Sequence, residues 1–458
     1  MSLRAIRAAG AEPVDAASIA VFRATVGLLL AIEMGRFFLH GWIDSRLLAP
    51  TFLFKYPGFG WVAPPPGDGL YWVFAALGIL SVMVAVGLFC RVAVVTLFLG
   101  FGYVFLLEQA NYLNQYYLVL CVLALLCCMP AERAWSVDRW RRPPATATTV
   151  PRWNVWALRA QFEVVLVYAG LVKLNADWLA GQPLEIWLDV YADLPGIGEW
   201  LGSRQTALLA SYGALALHLI GAPLLLWRPA RLPVFLLYVA FHVANSMLFR
   251  IGLFPWITLA GTLLFFDPDW PRRLWSHLAA HHAGQQAVRS PARQVDESSW
   301  PRRLVVLLLI AQILIPLRGM FYPGRASWTG EGQWFAWRMK LDEKACTARF
   351  LVHDDRGMRA AVAPESLLSP RQAAIMAKNP DLALQFAHFL RDRGIAAGGG
   401  PTVRVTADVC CALNGRPAAR LIDPAVDLAS ATRHPGRYDW VLPLAPGDAG
   451  DVESCRAD

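Results

Sequence analysis

The chain has 458 residues, 56% of them hydrophobic and only 17% charged, a balance that excludes an ordinary soluble protein. Its formal net charge is +8, but no C2H2 spacing, RNP motif or long basic tract accompanies that charge, and no nucleic acid partner is expected. Eight cysteines occur without a C-x-x-C pair, and no metal site is read.

In chain order, apolar runs able to span a hydrocarbon core of about 30 Å, which takes roughly 20 helical residues, occupy 17–38, 70–90, 92–108, 113–130, 154–174, 207–227, 232–249, 253–266 and 303–318. The expected fold class is a membrane all-α bundle of about nine transmembrane helices followed by a small α+β extracytoplasmic domain. The dividing point falls between 1–319, the transmembrane domain, and 320–458, the soluble domain. The first run is too long for a signal-peptide core and lacks a small-residue cleavage site, so a retained helix is expected. The eighth run is short and starts near Pro255, which suits a broken or tilted segment. Nineteen tryptophans fit membrane interfaces. Cys90, Cys121, Cys127 and Cys128 fall in apolar runs, where a thiol behaves as a small hydrophobe.

Lys and Arg accumulate on the cytoplasmic side of membrane proteins, so the connecting loops report orientation. The N-terminal tail carries Arg4 and Arg7, the second loop Arg91, and the fourth Arg133, Arg139, Arg141, Arg142 and Arg152. The sixth carries Arg228 and Arg231, and the eighth Arg272, Arg273, Arg289, Arg293 and Arg302. The fifth loop is acidic instead, with Asp177, Glu185, Asp189, Asp193 and Glu199. This alternation predicts a cytoplasmic N-terminus and a C-terminal domain in the periplasm or ER lumen.

The stretch 270–302 reads as a cytoplasmic linker. Beyond residue 320, Trp328 to Leu341 and Ala345 to Val352 read as strands. Ser369-Pro370 is a helix start with Pro at the first helical position, and the helix or helix pair it opens ends near Gly394. Gly398 to Gly400 reads as a hinge. The alternation of Val403, Val405, Ala407 and Val409 with polar residues predicts a strand, and Asn414-Gly415 a hairpin turn into Ala418 to Ile422. Cys346, Cys410, Cys411 and Cys455 sit in this domain, where a disulfide is possible but its pairing is open. No internal repeat is found.

Ionisable groups inside a membrane are expensive and mark candidate functional sites. Lys173 ends the fifth span, near its outer end. It reads either as a lysine snorkelling beside an interfacial tryptophan or as an amine kept neutral in a dry site, where it serves as a general base. His242, Asn245 and Ser246 occupy the outer half of the seventh span. Spaced three to four residues apart, His242 and Asn245 share one helix face, which serves either interhelical packing or a ligand. Asn111, Asn114 and Gln115 open the fourth span on the same side. Arg159 and Glu163, an i,i+4 pair in the inner half of the fifth span, read as a structural ion pair. Lys173, His242, Asn245 and Asn114 thus converge on one leaflet.

At these residues the sequence resembles the vitamin K-dependent gamma-carboxylase family, whose membrane part defines the horizontally transferred transmembrane domain. The similar stretches run in order: Val21-Phe22-Arg23, Tyr103 to Glu108 (YVFLLE), Trp135-Ser136-Val137-Asp138, Lys173-Leu174-Asn175-Ala176-Asp177-Trp178 with Gly181, and Phe241-His242 with Asn245-Ser246. Leu248-Phe249, Ile251-Gly252, Phe254 and Asp269-Trp270-Pro271 follow, then Trp328-Thr329 with Trp337 and Met339, and Ile422-Asp423-Pro424 with Val426-Asp427. The resemblance implies oxidation of vitamin K hydroquinone, or menaquinol, by O2, coupled to carboxylation of a glutamate-containing peptide with CO2. It also implies that Lys173 is the weak base acting on the hydroquinone. His242 and Asn114 would be catalytic, and Asn245, Ser246, Gln115, Trp337 and Met339 would contact the cofactor. A lipid-soluble quinone would enter from the bilayer while the peptide arrives from outside.

The chain departs from better-known members at several points. Gln115 stands where they have histidine, and Val172 where they have a second lysine. Phe54 replaces the first cysteine of a disulfide joining their first outer loop to the soluble domain, and Arg338 and Lys340 replace acidic or neutral residues. The leading expectation is a quinol-oxygenating glutamyl carboxylase. The alternatives are a quinol epoxidase without peptide carboxylation, and a non-catalytic membrane scaffold that binds a peptide.

Overall fold

The computed structural model describes residues 2–143, 147–249, 251–279, 299–434, 437–444 and 455. Helix α1 (Ala17–Leu39) packs along α2 (Gly69–Val86), which turns back into α3 (Cys90–Leu107). Gly27 permits the first contact, since a Cβ there would lie 2.5 Å from the Ala85 nitrogen, and small residues let membrane helices approach at backbone distance. The bundle continues through α4 (Asn114–Cys127), α5 (Arg152–Leu171), α6 (Arg204–Leu224), α7 (Arg231–Leu248) and α8 (Phe254–Leu263). Helix α9 (Trp270–Ala279) precedes α10 (Ser299–Leu317). Six helices among the described residues are long and apolar enough to cross a membrane: α1, α2, α3, α6, α7 with its lead-in from Arg228, and α10. Helices α4 and α8 are apolar but shorter. The protein is a multi-pass membrane protein.

Two sequence expectations for the membrane part need correction. The first ten residues of the expected linker form α9 and its last four begin α10, while 280–298, including Arg289 and Arg293, lies outside the described residues. Arg159 and Glu163 do not pair. Instead Arg159 donates from Nε to the Leu264 carbonyl at 2.7 Å and from a terminal nitrogen to the Phe266 carbonyl at 2.9 Å. It thereby satisfies carbonyls that the end of α8 leaves open.

The soluble part is a four-stranded antiparallel sheet with two helices on it. Strands β1 (Lys344–His353), β2 (Arg359–Val362), β3 (Arg404–Leu413) and β4 (Ala419–Arg420) lie in the order β2-β1-β3-β4. Val405, Ala407, Val409, Cys411 and Leu413 are buried in alternation, the period-two pattern read from the sequence. Helix α11 (Pro370–Ala377) starts with a capping box between Ser369 and Gln372, and α12 (Pro380–Ala396) follows. Asn414 and Gly415 both take positive φ, as a tight turn into β4 requires. Disulfides join Cys346 to Cys411, partners across β1 and β3, and Cys410 to Cys455.

Trp328 to Leu341 is not a strand. After a short helix at Ala326–Thr329 the chain becomes an irregular loop with Phe335, Trp337 and Lys340 at positive φ. This loop enters the bundle. Trp337 is fully buried and stacks on Tyr117 with ring centroids 4.9 Å apart, and Phe335 packs on the same tyrosine at 4.8 Å. The segment after α1 makes a second junction. Phe54 is fully buried among soluble-domain residues, Phe52 packs on Phe389 at 4.6 Å, and the Lys55 amide donates to Gln385 at 2.8 Å. Glu108 receives the Phe54 amide and the Gln372 side chain, tying the end of α3 to both.

Candidate functional site

The end of α5 is built by a short local code. Helix α5 stops at Leu171, and Asn175 caps the next turn, accepting from the Trp178 amide at 3.0 Å. That turn folds the chain back so that Trp178 is buried against α6, its indole donating to the Ser211 carbonyl at 3.0 Å. Lys173 is left 5% exposed, with Nζ 5.0 Å from the Trp178 ring centroid and donating to the Ala169 carbonyl at 2.6 Å. It has no carboxylate partner among the described residues. A lysine turned inward this way is not snorkelling.

Asp177, one residue before that tryptophan, faces the soluble domain. Arg416 reaches both its oxygens, at 2.5 and 2.8 Å, Asn414 donates at 2.8 Å and Arg325 at 3.2 Å. Burial raises its proton affinity, but the hydrogen bonds and charge of these partners outweigh that and hold its carboxyl below the ordinary value. The β3–β4 hairpin is thereby fastened to the turn that follows Lys173.

Beneath it lies a cavity of about 590 Å³ between α5, α6 and α7, lined by Lys173, Trp178, His218, His242, Asn245 and Met339 among others. Apart from Lys340 its other walls are aliphatic and aromatic, and among the described residues no carboxylate lines it. Ile220 of α6 and Leu237 of α7 line the cavity and are also exposed on the outside of the bundle, giving it an apolar side toward the surface. At the soluble-domain end Lys340 sits over Trp187 and Phe249, 5.0 Å from each ring centroid, and the Trp187 indole donates to Glu343 at 2.7 Å. The cavity therefore has one apolar side and one polar mouth.

Of the residues singled out from the sequence, the structure brings Lys173, His242, Asn245 and Met339 to this cavity. His242 is buried, and its Nε2 has no hydrogen-bond partner among the described residues. Asn245 donates to the Phe241 carbonyl at 2.9 Å. The other four stand elsewhere. Asn114 donates to the Arg338 carbonyl at 2.9 Å and accepts from Tyr112, holding the inserted loop from below. Gln115 accepts from the Phe254 amide at 3.2 Å at the start of α8. Ser246 returns its hydroxyl to the His242 carbonyl of its own helix. Trp337 fills the bundle core on the α4 side. Trp337 and Asn114 thus shape the cavity by placing Met339 and Lys340.

His218 was missed. It is the single histidine in the run 207–227, which holds no Asp, Glu, Lys or Arg, a signal that could have been read. The turn Leu217–Gly221 is a π turn just ahead of Pro223, whose ring clashes with the carbonyl four residues back in a regular helix. That wider turn carries His218 into the cavity.

Residues 11–270 match the HTTM domain family model, and residues 297–446 match the model of the vitamin K-dependent gamma-carboxylase lumenal domain. No solved structure matches the chain.

Proposed function

From the premise that this chain belongs to the vitamin K-dependent gamma-carboxylase family, we propose that it is a quinol-oxygenating glutamyl carboxylase whose base is Lys173. The observation that carries the reading is the buried, carboxylate-free Lys173 in a cavity with an apolar side toward the surface and the soluble domain at its mouth. The proposed cofactor is vitamin K hydroquinone or menaquinol, with O2 and CO2 as co-substrates and a peptide glutamate as acceptor.

The residues fit an aromatic diol. Aliphatic and aromatic walls suit its ring, the apolar side at α6 and α7 suits entry from the bilayer, and the buried Nε2 of His242 is a polar atom still wanting a partner. A glutamate γ-carbon proton is beyond any side chain, so the bound quinol, oxidised by O2, supplies the strong base. Lys173 accepts a proton at Nζ, which needs a dry site to be free of one beforehand. His242 and Asn245 orient the ring ligand from α7. Lys340 offers a cation at the mouth for a glutamate carboxylate arriving along the soluble domain.

We read α4, α5 and α8 as three further crossings, which gives nine in all. With the alternating basic loops, that count places the N-terminus in the cytoplasm and the soluble domain outside. Two disulfides in that domain suit an oxidising compartment. The division at residue 319 then separates the quinol-binding part from the peptide-facing part.

The test uses purified protein in nanodiscs with reduced vitamin K, O2, labelled bicarbonate and a glutamate-rich peptide, following epoxide and acid-stable label together. Both products, each lost in Lys173→Ala, are expected. Epoxide without label across a panel of peptides would reduce the reading to a quinol epoxidase. Neither product from folded protein would sink it.

A further inference from the structure

We propose that His218 makes this cavity selective for the reduced, hydroxyl-bearing form of its ring ligand. The proposal rests on the quinol reading above and names a specificity residue within that site.

The argument starts from hydrogen atoms. His218 Nδ1 lies 2.6 Å from the Ala214 carbonyl oxygen. A carbonyl only accepts, so Nδ1 carries the hydrogen, and Nε2 of the neutral ring presents a lone pair. Nε2 makes no hydrogen bond among the described residues, although the side chain is 4% exposed and lines the cavity. An acceptor that faces an otherwise apolar cavity without a donor favours a ligand that brings one.

Packing fixes where that lone pair sits. Phe241 stands edge-on between two imidazoles, its ring centroid 5.2 Å from His218 and 5.2 Å from His242. On the other side the His218 Cβ and the Leu219 side chain press against α5 at Gly170, one turn before Lys173. His218 therefore joins Lys173 and His242 around one space, and its Nδ1–H, already committed to Ala214, leaves it no onward route for a proton. It is a fixed acceptor. A quinol hydroxyl donates to such an atom, whereas a quinone carbonyl sets lone pair against lone pair. Discrimination by a polar group that one ligand satisfies and the other leaves unpaired is a strong form of specificity.

The experiment titrates the whole protein in nanodiscs, under argon, with 2-methyl-1,4-naphthohydroquinone and separately with the matching naphthoquinone. Isothermal calorimetry against protein-free nanodiscs reads each Kd. Wild-type protein is expected to bind the hydroquinone about tenfold or more tightly than the quinone. In His218→Leu the ratio should fall to within about twofold of one, with quinone affinity preserved, which also shows the cavity intact. His218→Gln offers both a donor and an acceptor, so its ratio should fall between the two. A wild-type ratio retained in His218→Leu overturns the proposal. Should the leucine variant fail to fold, a wild-type ratio in His218→Gln overturns it equally. Wild-type protein that binds neither ring overturns both this proposal and the quinol reading. Selective binding without epoxide formation leaves His218 in place and removes the catalytic reading alone.

Discussion

Gly170 and His218 lie so close that a Cβ on Gly170 would stand 3.0 Å from the Cβ of His218 and 2.6 Å from Cδ2 of Leu219. The absence of one side chain on α5 thus sets how near the π turn of α6 comes to Lys173. Gly170→Ala should overpack this contact and lower stability by about 1–3 kcal/mol. Quinol turnover should fall as the imidazole is displaced. Thermal unfolding in detergent alongside steady-state epoxide formation measures both.

Lys173→Arg tests charge against chemistry. Guanidinium stays protonated in proteins, so arginine keeps a cation at the site but gives no base. Epoxide formation should drop by roughly 100-fold or more, the scale of a lost general base. Activity within a few fold of wild type would show that Lys173 acts only as a positive charge.

Asp177 should clamp the soluble domain over the cavity. Asp177→Asn, which loses the charge paired with Arg416 and Arg325, should cost about 1–2 kcal/mol of stability. Because its folded carboxyl lies below the ordinary 3.8, this contribution is present above that pH and is lost as pH falls below it. Limited proteolysis of wild-type and variant protein across pH 3 to 6, a window of roughly three units around that value, reads the loosening directly. Identical cleavage patterns at every pH would remove the clamp role.

Much of this site announced itself in sequence because ionisable groups are rare in apolar runs. Depth along a helix could be counted from the loops, which is why Lys173, His242 and Asn245 were drawn to one level. The direction a side chain faces around a helix could not be counted. Asn114, Gln115 and Ser246 share that depth but turn to a loop backbone, a helix start and their own helix. Trp328 to Leu341 misled for a different reason. Its aromatic residues have strand propensity, but burial of Trp337 against Tyr117 fixes an irregular path instead. His218 was legible as a lone histidine among aliphatics, yet only the π turn shows that it reaches the cavity.

Phe54 joins the first loop to the soluble domain by packing alone. Phe54→Ala should open a cavity between the first loop and the soluble domain and cost about 3–5 kcal/mol. Reductant, by contrast, should leave that junction intact, since both disulfides close within the soluble domain. Thermal unfolding with and without reductant, in wild type and Phe54→Ala, separates the two contributions.

Lys344 gives the soluble domain an unusual pH dependence. Its amine is buried, donates to the Trp328 and Lys378 carbonyls, and is lowered by that burial to about 7 from an ordinary 10.5. Between those values the unfolded chain holds a proton that the folded chain does not, so stability should rise as pH increases from about 7 toward 10.5. Lys344→Met should flatten that slope. Denaturant unfolding at a series of pH values measures it, and an unchanged slope in the variant would assign the dependence to another group.

The apolar side of the cavity at α6 and α7 has a consequence for what the protein can distinguish. A molecule entering there gives up its surroundings only at the head, while any hydrocarbon tail stays among the acyl chains it already occupied. Free energy of tail transfer then cancels from the comparison between homologues of different prenyl length. On the proposed quinol reading, the cavity would then gauge ring chemistry and be indifferent to chain length.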